Sequence, residues 1–273
     1  MSTVTIPQIL KKYQTGDKLT MLTAYDASFA KLVDRAGIDI ILVGDSLGMV
    51  MQGHTNTLPV TLDQIIYHTQ CVTRVVQKSL VLADMPFMSY QASTEQALMN
   101  AGRCLKEGMA TAIKMEGGAE LVPTITAMRH AGIPVMGHIG LQPQQIHTLG
   151  GYKIQGKTSA DAEALLTSAL ALQEAGCFAI VLEGVAIETA AAITGQLKIP
   201  TIGIASGSHC SGQVQVMHDL LGMDADFKPR HAKAYIHLSE SILHAIREYT
   251  HEVENKNFPT EEHATHRIND ENH

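Results

Sequence analysis

Ile38-Asp-Ile-Ile-Leu-Val-Gly-Asp45, then Thr61-Leu-Asp-Gln64 opening a polar–apolar stretch, then Leu80-Val-Leu-Ala-Asp84: this passage decides the fold. The first and last pieces are short, β-rich apolar runs, the signature of buried strands. Between them, Thr61 and Gln64 match a capping box, so a helix is expected from there to about Lys78. A loop rich in Gly, Asn and Thr, residues 48–59, joins the first strand to that helix. Strand, helix, strand in this order calls for a parallel pair, because parallel strands need a crossover. Both strands end in an acid, and an ionisable group at a strand tip is costly unless it meets water, a partner or a metal.

Working outward, the unit repeats. Leu19-Thr-Met-Leu-Thr-Ala-Tyr-Asp26 is another acid-tipped run, followed by a helix over Ala27–Gly37 with Phe29, Leu32 and Val33 on one face. Ser93-Thr-Glu-Gln96 is a second capping-box match and opens a helix to about Gly108. Ala110-Thr-Ala-Ile-Lys-Met-Glu116 is the fourth strand, with a helix over Leu121–His130 behind it. Ile133-Pro-Val-Met-Gly-His138 is the fifth and carries His instead of an acid. A long loop, residues 140–158, leads to a helix over Asp161–Gly176 and to the sixth strand, Phe178-Ala-Ile-Val-Leu-Glu183. A helix over Ile187–Leu197, a strand over Ile199–Ile204, a weak eighth strand over Val214–Asp219 and a helix over Ser239–Tyr249 complete the series. About eight such units in about 250 residues match a closed (β/α)₈ barrel. An open doubly wound sheet is the alternative, but it would bring glycines after its first strand, where this chain has Tyr25-Asp26-Ala27-Ser28. One barrel domain over residues 1–263, with an N-terminal extension, and a disordered tail over 264–273 are expected, because the end is charged and apolar-poor.

Composition narrows the function. The chain has 273 residues, 45% hydrophobic and 17% charged, with net charge −7 and no Trp. It has no basic stripe and few aromatics, which argues against nucleic acid as a partner. No apolar run reaches membrane-spanning length and no secretory leader pattern opens the chain, so no membrane partner and a cytoplasmic location are expected. Cys71, Cys104, Cys177 and Cys210 form no C-x-x-C pair, so zinc and redox motifs lack support.

In a barrel, the strand tips share one mouth. Asp45, Asp84 and Glu116 come from strands two, three and four. Oxygen-only ligands on adjacent strands suit a hard cation such as Mg²⁺, which takes one or two carboxylates and keeps positions for water and substrate. Each acid also has a structural reading. Asp26 reads equally well as the N-cap of the next helix. Lys114, two residues before Glu116, shares its face of the strand. It is either a salt-bridge partner of Glu116 or Asp84, or a ligand for a substrate carboxylate. His138 is either a satisfied core histidine or a donor to a substrate oxygen. Glu183, two strands beyond the metal cluster, is a candidate general base or a structural partner. These parts suggest metal-assisted proton abstraction next to a carbonyl, with a 2-oxo acid as substrate.

A longer set of motifs then runs in order: Thr23-Ala-Tyr-Asp26, Val43-Gly-Asp-Ser-Leu-Gly48, Leu82-Ala-Asp-Met-Pro-Phe87, Lys114-Met-Glu-Gly-Gly118, Gly137-His-Ile-Gly-Leu141, Gly150-Gly-Tyr-Lys153 and Met217-His-Asp219. Over residues 5–263 the chain resembles the 3-methyl-2-oxobutanoate (ketopantoate) hydroxymethyltransferase family. That resemblance implies a (β/α)₈ barrel of the phosphoenolpyruvate/pyruvate group. It implies Mg²⁺, 5,10-methylenetetrahydrofolate as one-carbon co-substrate, and 2-dehydropantoate as a product on the way to pantothenate and coenzyme A. By the same resemblance Asp45, Asp84 and Glu116 are the metal acids, with Glu116 reaching through water. Ser46, Lys114 and His138, together with Asp45 and Asp84, lie at the oxo acid. Glu183 is the base, and the assembly is a homodecamer. One segment departs from the family pattern. Gly203-Ile-Ala-Ser-Gly207 stands where Gly-Ile-Gly-Ala-Gly is usual, and Ser211 where Asp is usual; Gln215 occupies a position that is commonly apolar. Ala205, Ser206, Ser211 and Gln215 are therefore expected to alter the mouth near strand seven. A related Mg²⁺-dependent 2-oxo acid lyase and a non-catalytic paralogue are the two alternatives those departures raise.

Overall fold

The computed structural model describes residues 4–224 and 229–266, and it packs as two compact units, 1–217 and 218–273. The expected tail boundary at 263 falls inside the second unit, and residues 267–273 of that tail lie outside the described residues.

The first unit is a barrel. Its elements in order are α1 (Ile6–Gln14), β1 (Leu19–Thr23), α2 (Ala27–Arg35), β2 (Ile40–Val43), α3 (Leu47–Val50), α4 (Leu62–Thr73), β3 (Leu80–Asp84), α5 (Thr94–Lys106), β4 (Ala112–Glu116), α6 (Val122–His130), β5 (Val135–Gly140), α7 (Ile146–Leu149), α8 (Ser159–Ala175), β6 (Ala179–Glu183), α9 (Ile187–Gln196), β7 (Thr201–Ile204) and β8 (Gly212–Gln215). The eight strands pair in chain order, all parallel, and β8 closes on β1. Two of the expected capping residues accept a bond from the third helical amide: Thr61 from Gln64 and Ser93 from Gln96. Only the first is reciprocated, by Gln64 Oε1 accepting from the Thr61 amide.

Period-two alternation gives each strand one inward row. Met21, Ile40, Leu42, Leu80, Leu82, Ala112, Met136, Ala179, Val181, Ile202 and Val214 make one buried cluster inside the barrel. Ile9 of α1 belongs to the same cluster, with Val4 and Ile6 packed against it. The N-terminal segment is thus a plug for the bottom of the barrel, a role its short mixed sequence did not announce. Two other expectations shift. Leu32 is 60% exposed, and α2 buries Ala30, Val33 and Asp34 instead. The eighth strand sits earlier than expected, at Gly212–Gln215, so His218 and Asp219 lie on the following helix, α10 (Met217–Leu221).

Asp34 shows how a buried charge can serve packing alone. Burial would raise its pKa, but the amides of Ser79, Gln77 and Lys78 and the Ser79 hydroxyl all donate to it and hold it below the ordinary value. It thereby ties the end of α2 to the start of β3. The second unit is built around α11 (Leu238–Glu254), where the Phe258 ring packs against Tyr249 and His263. Among the described residues no helix is long and apolar enough to cross a membrane.

Candidate active site

The inward row that is apolar at the bottom of the barrel turns polar at its C-terminal end. On β3 it runs Leu80, Leu82, Asp84; on β4 Ala112, Lys114, Glu116; on β5 Met136, His138; on β6 Ala179, Val181, Glu183. Register then sets the neighbours: Asp84 lies opposite Lys114, Glu116 opposite His138, and Glu183 opposite Gly140. Five ionisable side chains from four adjacent strands therefore meet at one level.

They form a continuous chain of contacts. Lys114 Nζ is 2.8 Å from Asp84 Oδ1 and 3.6 Å from Glu116 Oε1. On its other side it is 3.1 Å from His138 Nδ1. His138 Nε2 lies 3.3 Å from Glu183 Oε2. The ammonium has only protons to offer, so Nδ1 must accept and the proton of neutral His138 sits on Nε2, facing Glu183. Burial, and then the Lys114 charge, push the His138 pKa down and favour that neutral form. Burial also works against the Lys114 charge, but Asp84, Glu116 and Asp45 outweigh it and keep the amine protonated.

Asp45, just beyond β2, joins the group from the side. Its amide donates to Asp84 Oδ2 at 3.1 Å, and its own Oδ2 accepts from Gln144 Nε2 at 3.0 Å. Burial first, and the nearby Asp84 charge second, push its carboxyl up to about 7. Burial likewise pushes Glu116 well above the ordinary range, despite Lys114 beside it. Asp45, Asp84 and Glu116 are thus three buried acids served by one ammonium. Such an excess of buried negative charge, carried only by oxygens, is the environment that a hard divalent cation neutralises. Among the described residues, no three His, Cys, Asp or Glu side chains are disposed to hold a metal by themselves. Mg²⁺ commonly takes one or two carboxylates and completes its shell with water and substrate, and the buried carboxylates of Asp45 and Asp84, linked through the Asp45 amide, offer donors of that kind.

Glu183 differs from the others in access. Its side chain is 21% exposed, whereas those of Asp84, Lys114, Glu116 and His138 are all at 5% or below. Its backbone is held from both sides: Leu141 N donates to Glu183 O at 2.7 Å, and Gly184 N to Ile204 O at 2.9 Å. Gly140 has φ +97°, and a Cβ there would overlap the Glu183 carbonyl, so only glycine lets β5 approach this closely. Ser46 directly precedes α3 without capping it, and its Oγ is 2.9 Å from the Tyr25 hydroxyl. Asp26 is the N-cap of α2, with Oδ1 accepting from Ser28 and Phe29 amides, so its structural reading is the correct one.

Three polar residues of the site went unread in the sequence: Tyr25, Tyr90 and Gln144. Tyr90 and Gln144 are buried beside Glu116, their side chains 2.8 Å apart. The available signal was Gln142-Pro-Gln-Gln145, a Pro-framed polar stretch directly after a barrel strand. The departing segment also resolves. Ala205 has φ +54°, where glycine is favoured. Ser206 is buried, and its Oγ accepts from Val185 N (3.0 Å) and donates to Leu182 O (2.7 Å), bracketing Glu183. Ser211 does not line the mouth. It precedes β8 at the opposite end of the barrel, where it exchanges hydrogen bonds with Thr201. Gln215 ends β8, on the mouth side.

A family model described as ketopantoate hydroxymethyltransferase matches residues 3–261. The protein named 3-methyl-2-oxobutanoate hydroxymethyltransferase from Geobacter sulfurreducens is 53% identical over 260 residues, covering 95% of this chain and 97% of that one. Its namesake from Chloroflexus aurantiacus is 53% identical over 262 residues, covering 96% and 92%. That from Moorella thermoacetica is 50% identical over 263 residues, covering 96% and 98%. Among solved structures, phosphonopyruvate hydrolase in complex with oxalate and Mg²⁺ superposes with TM-score 0.62 at 14% identity, over 96% of this chain and 92% of that one. A 2,3-dimethylmalate lyase of the PEP mutase/isocitrate lyase superfamily gives 0.60 at 15%, over 99% and 93%. At such identities these two speak for the fold alone.

Proposed function

We propose that this chain, which belongs to the ketopantoate hydroxymethyltransferase family, converts 3-methyl-2-oxobutanoate to 2-dehydropantoate in pantothenate synthesis, using Mg²⁺ and 5,10-methylenetetrahydrofolate. The observation that carries the reading is the contact chain Asp84–Lys114–His138–Glu183, which ends in one accessible carboxylate above buried acids.

Each residue has a task. Lys114, held protonated by its three acids, and Ser46 bind the carboxylate of the oxo acid. Charge-assisted bonds of this kind fix orientation as well as affinity. Glu183 takes the proton from C3, the carbon next to the carbonyl. The electrons of that C–H bond become the new C–C bond to the donor's methylene carbon; both C–N bonds of that methylene break, water supplies the hydroxyl group, and the C3 proton and the second water proton end on the two nitrogens of the departing tetrahydrofolate. Neutral His138, its Nε2 3.3 Å from Glu183 Oε2, fills the space beside the base without adding a positive charge there. A Mg²⁺ held by Asp45 and Asp84, with Glu116 reaching it through water, would stabilise the negative charge that develops on the keto oxygen.

The two alternatives rested on the departures near β7. Ser211 lies away from the mouth, and Ser206 braces the turn of Glu183, so neither position argues for a different chemistry. A homodecamer, as the family resemblance implies, and a cytoplasmic location complete the reading. The decisive experiment is solvent exchange. In D₂O with Mg²⁺ and no folate, the purified protein should exchange the C3 proton of 3-methyl-2-oxobutanoate. With the methylene donor added it should form 2-dehydropantoate. Failure of both removes the reading.

A further inference from the structure

Gln144 touches two of the acids that the proposed reaction assigns to Mg²⁺. Its amide group is saturated. Nε2 donates to Asp45 Oδ2 at 3.0 Å and to the Met85 carbonyl at 2.9 Å. Oε1 accepts from the Tyr90 hydroxyl at 2.8 Å and from Gln91 Nε2 at 3.2 Å. Its backbone amide donates to Glu116 Oε2 at 3.0 Å. The orientation of the amide is fixed by these partners, since turning it over would aim an oxygen at two acceptors. Tyr90 is anchored in turn. Its hydroxyl accepts from the Glu116 amide at 3.1 Å and shares its proton between Gln144 Oε1 and the Glu116 carbonyl.

Asp45 and Glu116 stand at the ends of β2 and β4, with β3 between them. Each has one carboxylate oxygen occupied by Gln144, and on Glu116 the other, Oε1, lies 3.6 Å from Lys114 Nζ. We infer that Gln144 is the positioning residue that sets Asp45 and Glu116 for a divalent cation, with Tyr90 as its brace. The inference rests on the Mg²⁺ reading above. Partners that orient metal ligands are worth about 10–100-fold in metal affinity.

The test is direct binding of Mn²⁺, followed by electron paramagnetic resonance with neither substrate present, so that no turnover is involved. The parent should bind. Gln144→Met keeps the volume and loses all four side-chain bonds, and its Kd should rise at least about tenfold. Tyr90→Phe should weaken binding several-fold. The double variant should weaken it by less than the product of the two, because the residues act through one another. Leu82→Ala, in the apolar cluster, serves as a control: it lowers melting temperature and should leave the Mn²⁺ Kd unchanged. A Gln144→Met protein that binds Mn²⁺ within twofold of the parent overturns the inference. So does an unchanged Tyr90→Phe if the Gln144 variant does not fold. A parent that binds no Mn²⁺ removes the Mg²⁺ reading itself, and the inference with it.

Discussion

Below Lys114 the inside of the barrel is hydrocarbon; from Lys114 upward, the same inward rows carry five ionisable groups. Leu82 and Asp84 are two residues apart on β3, as are Val181 and Glu183 on β6. Nothing in the backbone changes between the two levels. What changes is the source of each group's stability. At the lower level a side chain is held by the area it removes from water. At the upper level burial works against charge, and each ionisable group is held by a named partner. The lower level sets the cylinder, and the upper level spends some of that stability on chemistry.

This contrast can be broken from either side. Glu183→Gln is nearly isosteric, so it should lower turnover and C3 exchange by about 10²–10⁴-fold, the range for a general base. Melting temperature should stay near the parent value. If exchange persists at parental rate, the division of labour is wrong. Leu82→Ala is the reverse case. It should cost about 2–5 kcal/mol in chemical denaturation, with turnover per folded molecule unchanged.

The cation-free protein should also become less stable as pH rises from 3.8, the ordinary value for Asp45, towards its raised value of about 7. A carboxyl with a raised folded pKa binds its proton more tightly folded than unfolded, so stability is lost as that proton leaves. Glu116 adds in the same direction. Melting curves across that window should slope downwards without Mg²⁺ and flatten with it; a flat curve in both would mean the acids are not under strain. At the small end, Ser206→Ala should destabilise by about 1–3 kcal/mol, since it leaves the Val185 amide unpaired. Ala205→Gly should stabilise by about 0.5–1 kcal/mol by relieving the left-handed backbone. Paired denaturation curves for the two variants check both signs.

The repeating strand–helix unit was legible because each strand is a short apolar run and each following helix begins with a polar cap. Asp45, Asp84, Glu116, His138 and Glu183 were legible because they close such runs. Gln144 and Tyr90 were not. They sit in loops, where no period marks the inward side, and a neutral amide or phenol gives no warning of burial. Leu32 misled for the opposite reason: it is apolar, yet α2 turns it outward while burying Asp34, whose charge is satisfied by three backbone amides. The eighth strand was displaced because Gly212-Gln-Val-Gln215 alternates weakly. Its place is fixed by pairing with β1 and β7, which a local reading does not see.

Ile9, sealing the floor of the barrel with Val4 and Ile6 against it, has a kinetic consequence. With that floor sealed, the inward rows open at the strand tips, so whatever reacts deepest has to arrive first and leave last. For the proposed reaction this dictates sequence: the small oxo acid docks at Lys114 and Ser46 before the bulky folate covers the opening, and tetrahydrofolate departs before the product. Steady-state patterns should therefore show a compulsory order, with an excess of the folate donor inhibiting by occupying the doorway of a vacant enzyme.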